Sequence, residues 1–484
     1  MNTAPSNIDF GGGTSTSIYS PTALIIILIA GILVCLLPRN RVIIPFFLAA
    51  ILIPMDQVLL VGPYHFPLLR ILALFGLSRV LWRKFTRGDD VFSGGMNGID
   101  IAMIVLTFFT GLDGVLLWRV WGEFVFQVGT LLTPVGVYFL LRSLIRDEED
   151  VRRTLRVWAW AAVVVAADMV FEHLIGQNPI HAALGGAHAF LGNVSERNGS
   201  LRASGTFDHP ILAGAFGGMS VPLFVGLWWS SKKDRAVAAM GFAAAAVIPL
   251  LTSSSTALMG LVAAIIGLCF WGLRRSMRAV RWGIVGVLLA DQLRFQSNFW
   301  HLINDIDLTG SSSSWHRFML VDECIKHFFD WFLIGTRDYA SWGWQMWDLS
   351  NEYVLTADRS GLIPLLALIT ILVLGFKYLA RARVAAETAG NEKLALLTWA
   401  LGASLFANLI AFIGIDYFDQ TMVAWYAVLA LICAVTSPPV RVGAEKSTVA
   451  VAKPGFLLKP SLASGSMRDL RSAPRMKPGL QSKN

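Results

Sequence analysis

Charge is what this sequence has least of. Only 15% of its 484 residues are Asp, Glu, Lys or Arg, against about one quarter in soluble domains. Hydrophobic residues make up 55%, a balance that argues against a large soluble helical protein. Cysteine is scarce too. Cys35, Cys269, Cys324 and Cys433 form no disulfide framework and no metal-ligand spacing. Residues 1–20 hold no Lys or Arg, and no small-residue cleavage site follows Leu37, so the first apolar run does not read as a signal peptide. P-loop, dinucleotide-binding glycines, His-Glu-x-x-His and aspartate-rich metal motifs are all missing. Chemistry in this chain would therefore have to spend an already activated donor, without cofactor or metal.

What is there is apolar sequence in long stretches. They fall near 21–37, 42–61, 67–82, 99–117, 121–141, 155–175, 210–229, 236–252, 256–273, 279–291, 361–380, 394–414 and 418–435. A helix of about 20 residues crosses a hydrocarbon core of about 30 Å. Lipid cannot satisfy backbone polar groups, so spanning segments must be helical. The expected fold class is an all-α polytopic membrane protein with eleven to thirteen transmembrane helices. The weak members are 42–61, interrupted by Pro45, Pro54 and Asp56, the short 67–82, and 279–291. The expected organisation is a polar segment 1–20, a membrane domain 21–435 and a tail 436–484.

Basic residues orient the stack. Arg142, Arg146, Arg152, Arg153 and Arg156 flank one connection; Lys232, Lys233 and Arg235 the next but one; then Arg274, Arg275, Arg278 and Arg281; then Lys377, Arg381, Arg383 and Lys393. Alternate connections are thus basic, and the positive-inside rule assigns them to the cytoplasm of a bacterial inner membrane. The N-terminus and the loops 176–209 and 292–360 then face the periplasm. The tail from 436 is rich in Pro, Ser and Gly and reads as disordered. From residue 441 it holds nine Lys and Arg against two acidic residues, a net +7 of the chain's formal +8. The basic balance is therefore a property of the tail and does not point to nucleic acid, while anionic lipid heads are within its reach.

Two external loops carry the chemistry-capable residues. In the first, "RASGTFDHP" runs from Arg202 to Pro210. Proline suits the first turn of a helix, so Asp208 or His209 caps or flanks the start of the seventh span. Arg202 near a positive helix end makes an anion site; snorkelling, or pairing with Asp208, is the plainer alternative. His181 and His188 make a poor metal site without a third ligand. In the second loop a helix is expected after the serine run 311–314, with Ser314 or a neighbour as cap. Trp315, Phe318, Met319, Ile325, Phe328, Phe329 and Phe332 recur at helical spacing, a stripe for packing on lipid or on the spans. Arg317 falls in the first turn, where it opposes the helix dipole unless an anion comes to it. His316 reads as a surface residue. Asp338, Asp348, Glu352, Asp358 or Asp208 could accept a proton from a hydroxyl. Asp168 and Glu172, one turn apart near the end of the sixth span, read as an interface-facing pair.

"RASGTFDHPILAGAF" and "SSSWHRFMLVDECIKHFFDWFLIGT…SNEYVLTADRSGLIPLL" resemble the O-antigen ligase and O-antigen polymerase family of bacterial inner-membrane proteins, and most of all members assigned to exopolysaccharide production. The matching positions are Arg202 with Gly205, Thr206 and Phe207; Arg317; and Asn351 with Tyr353, then Gly361 and Leu362. The resemblance covers roughly 155–435. It implies a lipid-linked-sugar glycosyltransferase-like membrane fold and transfer of a glycan from undecaprenyl pyrophosphate to a sugar hydroxyl. Arg202 and Arg317 would hold the pyrophosphate, and Gly205, Thr206, Asn351 and Tyr353 would bind substrate. Family members that attach glycan to lipid carry a histidine where this chain has Ser350; Asp208, His209 or Glu352 would take its place. The expected partners are the lipid-linked donor, a glycan acceptor, the bilayer and a chain-length regulator. A ligase, and in another class a flippase or transporter, are the competing expectations.

Overall fold

The computed structural model describes residues 17–437 except 63, 88–90, 187–194, 198, 296–298 and 306–312. Almost all of the expected tail, and His188, lie outside the described residues. The chain begins with α1 (Pro21–Leu36), α2 (Arg39–Leu52), a hairpin of β1 (Val58–Val61) and β2 (Tyr64–Pro67), and α3 (Leu68–Arg87). Three long helices follow: α4 (Gly98–Trp118), α5 (Trp121–Leu144) and α6 (Glu148–Ile175). The first loop holds α7 (Pro179–Leu184) and a second hairpin, β3 (Ser195–Arg197) with β4 (Ser200–Arg202). Next come α8 (Pro210–Ser230), α9 (Arg235–Leu251), α10 (Ser255–Cys269) and α11 (Met277–Phe295). The second loop contributes α12 (Leu302–Asp305), α13 (Ser313–Lys326), α14 (Phe328–Trp331) and α15 (Glu352–Ser360). The chain closes with α16 (Leu362–Thr388), α17 (Glu392–Ala411) and α18 (Asp419–Thr436).

This is an almost wholly helical, multi-pass membrane fold, with a helix at each stretch read from the sequence. Among the described residues, eight helices are long and apolar enough to cross a membrane: α4, α5, α6, α8, α10 with its continuation to Leu273, α16, α17 and α18. Helices α1 and α9 are apolar but shorter. Eight is fewer than the eleven to thirteen expected, since α2, α3 and α11 do not qualify either, and one stretch departs in kind. Residues 42–61 are not one span, because α2 stops at Leu52 and 58–61 is a strand. Pro54 disfavours helical backbone at the residue before it, and Ile53 is extended at φ −94°.

Local chemistry sets several ends. Asn97 accepts from the N–H groups of Ile99 and Asp100 while the Asp100 carboxylate accepts from Asn97 N–H, a reciprocal cap on α4. Asp147 caps α6, whose first turn is acidic, and Gly176 ends it in the left-handed region.

Helices α8 and α18 are the most enclosed, with 83% and 89% of their apolar windows buried; α4 and α5 are the least, at 33% and 28%. Small residues make the enclosure possible. A Cβ on Gly218 would stand 3.1 Å from the backbone of Gly260 and Leu261, so α8 and α10 meet main chain to main chain.

The connections gather at two ends of the bundle. At one, Arg39 pairs with Asp150 at 2.9 Å, Arg156 with Asp234 at 3.6 Å and Arg274 with Glu387 at 3.0 Å. These pairs tie together the alternate basic turns, and this is the basic end. At the other, Gln57 donates to Leu184 O, Ala203 N–H to Leu251 O and Glu352 N–H to Phe412 O. This is the loop end. There a second, smaller core of Leu320, Trp331, Met346, Leu349 and Val354 closes over the spans.

Candidate functional site

The loop 202–209 is pinned from below by a carboxylate. Glu172 is fully buried and accepts from Asn178 Nδ2, Ser204 N–H, Ser204 Oγ and Gly205 N–H, at 2.8–3.3 Å. Asp168 is also buried and accepts from Ile180 N–H. The sequence reading of these two as an interface-facing pair is therefore wrong. Both turn inward, because only backbone and amide donors of the loop can satisfy a carboxylate at that depth. Gly205 sits at φ +59°, a region that favours glycine, and its carbonyl accepts from Asn178.

The remaining predicted residues of this loop are placed by the same fastening. Thr206 Oγ donates to Ile51 O. His209 is the N-cap of α8, its Nδ1 accepting from Ile211 N–H at 3.2 Å. Asp208 lies within electrostatic reach of Asp419, as does Asp56. His181 is buried in α7 below the loop.

Arg202 and Arg317 are 115 positions apart in sequence, yet both reach one turn. Arg202 Nε donates to Thr252 O at 3.1 Å, and Arg317 Nη2 donates to Thr256 Oγ at 2.6 Å. Between them runs Thr252-Ser253-Ser254-Ser255-Thr256, all from α9's end to α10's start. Thr252, Ser254, Ser255 and Thr256 are buried, and Ser253 takes φ +46°. The first amides of α10 have no carbonyl partner within the helix. Ser254, its N-cap, makes no side-chain cap bond, and its buried Oγ makes no hydrogen bond among the described residues. Two guanidiniums, a helix start and a hydroxyl thus converge, a set of donors suited to phosphate oxygens.

Sequence reasoning passed over this turn. A run of five hydroxyl residues opening a span was the signal available.

The helix bearing Arg317 presents it inward. Arg317 is 4% exposed, on the face shared by Ser314, Leu320 and Cys324, whereas Trp315, Ile325 and Phe329 of the expected aromatic stripe are exposed. His316 is not a surface residue; it is buried with Nε2 against Asp348 O at 3.1 Å. The expected stripe is divided: Phe328 and Phe332 pack on the second core, while Ser314 and Arg317 take the buried face of α13.

A second missed segment is the short connection 412–420. Gly414 O accepts from Thr256 Oγ, and a Cβ on Gly414 would come within 2.5 Å of that oxygen and 3.0 Å of Arg317 Nε. Asn351 caps α15 through Oδ1 and donates from Nδ2 to Ile413 O. Tyr353 donates its hydroxyl to Leu409 O. Glu352 accepts from Tyr417 N–H at 2.8 Å. Gln420 Nε2 donates to Thr206 O and Ile53 O. One loop therefore joins the Arg202 loop, the Arg317 helix and the Asn351 helix.

Burial pushes Glu352 up to about 8, with neighbouring Asp416 adding to the rise and the Tyr417 N–H and Arg359 opposing it. Burial pushes Asp416 up as well, and Asp358 up to about 7. At neutral pH Glu352 is thus mostly protonated and ionises as pH rises toward about 8, close enough to the working range for proton transfer. No family model matches this chain, and no curated protein does.

Proposed function

We propose that the chain is a glycosyltransferase that moves a polyprenyl-pyrophosphate-linked glycan to a sugar hydroxyl, acting as a polymerase of exopolysaccharide repeat units. The observation that carries this reading is the meeting of Arg202 and Arg317 on one hydroxyl-lined helix start. Loss of lipid pyrophosphate from an anomeric carbon builds negative charge on the leaving oxygen. Directed donors from two guanidiniums and the α10 amides would meet that charge as it forms. The donor's polyprenyl tail would stay in the bilayer, which asks for a site at the membrane rim, as the loop end is. On this reading the loop end faces the periplasm and the basic end the cytoplasm.

The acceptor hydroxyl must lose a proton. Glu352, shifted into the neutral range, and Asp208, beside Asp419 and Asp56, are the carboxylates proposed to receive it. Gly205, Thr206, Asn351 and Tyr353 would act by positioning, since their polar groups hold the loops that carry the arginines. The buried pair Asp168 and Glu172 gives little support to a transporter, because Glu172 is engaged by four donors of the loop.

Purified protein supplied with lipid-linked repeat unit and no nucleotide tests the reading. Elongated products are expected. Transfer only to a separately added acceptor would make it a ligase, and substrate movement across vesicles without transfer would make it a transporter. Cysteines placed at 198 and 311 should label from outside intact cells, and one at 233 should not; labelling at 233 would reverse the orientation.

A further inference from the structure

A second cluster of arginines lies at the opposite end of the bundle, where the proposed transfer reaction has no use for it. Arg39, Arg79, Arg83 and Arg146 line one small pocket with Val80, Val91, Ser143 and Leu144, partly open to solvent. Four arginines around one hollow repel one another unless something anionic is shared among them.

Their partners account for three. Arg79 is buried and donates to the terminal carbonyls of α1, Val34 O and Cys35 O. Arg146 donates to Ser143 O and Val91 O. Arg39 pairs with Asp150, which Arg153 also holds at 2.6 Å. Arg83 makes no hydrogen bond or ion pair among the described residues, although it is half-buried on the pocket wall. It has been brought to the pocket without a protein group to meet it there.

The depth of the pocket names the class of anion. Arg83 stands between Trp82 and Phe85, which are 71% and 83% exposed, on the last turns of α3. Exposed aromatic rings at a helix end mark the headgroup level of a bilayer. Basic pockets between helices at that level suit phosphate headgroups. We propose that this pocket binds a phosphate group at the basic end, supplied by an anionic phospholipid, with Arg83 as the residue that reaches it. The proposal stands apart from the donor site and from the reaction assigned to it.

The test uses the full-length protein purified in neutral detergent, with binding read by native mass spectrometry and by thermal midpoint. Phosphatidylglycerol, phosphatidylcholine and inorganic phosphate are added separately to wild type, Arg83→Gln and, as control, the exposed neighbour Lys84→Gln. Wild type should retain phosphatidylglycerol over phosphatidylcholine. Arg83→Gln should weaken that retention about tenfold, or about 1.4 kcal/mol, without lowering the unliganded midpoint, and Lys84→Gln should change neither. Protection of wild type but not Arg83→Gln by inorganic phosphate alone would keep the phosphate site and assign it to a soluble ligand. Equal binding by wild type and Arg83→Gln would overturn the proposal. A fall in the unliganded midpoint of Arg83→Gln, with no change in lipid preference, would overturn it too, making Arg83 a fastener of the fold.

Discussion

The two ends of the bundle use arginine in different ways. At the basic end Arg152 pairs with Glu148 and Glu149, Arg156 with Glu149 and Asp234, and Arg274 and Arg383 with Glu387, on side chains that remain partly exposed. Such pairs contribute little each, since water and salt screen them. Their value lies in number and side, which is what orients a membrane protein. At the loop end Arg202 and Arg317 donate to neutral oxygens of one buried turn, 252–256. A guanidinium there costs desolvation, and an incoming anion would add to what offsets that cost. The paired arginines of the basic end report topology; Arg202 and Arg317, which share one turn, mark the proposed site.

The sharpest way to break this contrast is to keep charge and remove the planar fork. Arg202→Lys and Arg317→Lys should each lower transfer about 100-fold, seen as accumulation of single lipid-linked units. Arg152→Lys at the basic end should stay near wild type. Equal effects at both ends would remove the distinction.

The next effect is on the scaffold. Glu172→Ala leaves the buried donors of Asn178, Ser204 and Gly205 without their acceptor and should cost roughly 3 kcal/mol, read as a lower unfolding midpoint in detergent. Because Arg202 rides on that loop, activity should fall with it. Gly414→Ala is subtler. Its Cβ would press on Thr256 Oγ and Arg317 Nε, so transfer should drop roughly tenfold or more with a nearly unchanged midpoint.

Acidity sharpens the comparison within the loop end. Glu352 has its folded pKa raised to about 8 from an ordinary 4.5. The folded state then holds a proton that the unfolded chain has released, so stability falls as pH rises from about 4.5 to about 8 and levels off above. Glu352→Gln should flatten that stretch of the stability curve. If Glu352 takes the acceptor proton, transfer should rise with pH through about 8 and the same variant should lose that rise; an unchanged profile would leave the proton to Asp208. The smallest expected effect is at Ser254, whose hydroxyl is buried without a hydrogen bond among the described residues. Ser254→Ala should leave the midpoint equal or slightly higher and reduce transfer a few-fold.

Most of the fold was legible because hydrophobic length and charge alternation are one-dimensional quantities. The thirteen stretches all carry helix, but eight among the described residues are long and apolar enough to span, fewer than expected, and 42–61 breaks where Pro54 ended a helix that apolar composition alone would have continued. Arg202 and Arg317 were legible as arginines at awkward places beside helix starts. Their meeting was not, since they are separated by α8 to α12 and neither names the other.

The sequence by itself determined a helical membrane bundle, the grouping of its connections into two sets, and the two long loops between spans. Those follow from transfer free energies and charge counts, which add up residue by residue along a chain. Tertiary structure decided which polar residues face inward. It brought the turn 252–256 and the connection after α17 between the two arginines, buried Glu172 and His316, and left Trp315 of α13 exposed. The physical reason is that a buried polar group is stable only against a partner of matching geometry, and such partners come from distant parts of the chain that only packing brings within 3 Å of each other.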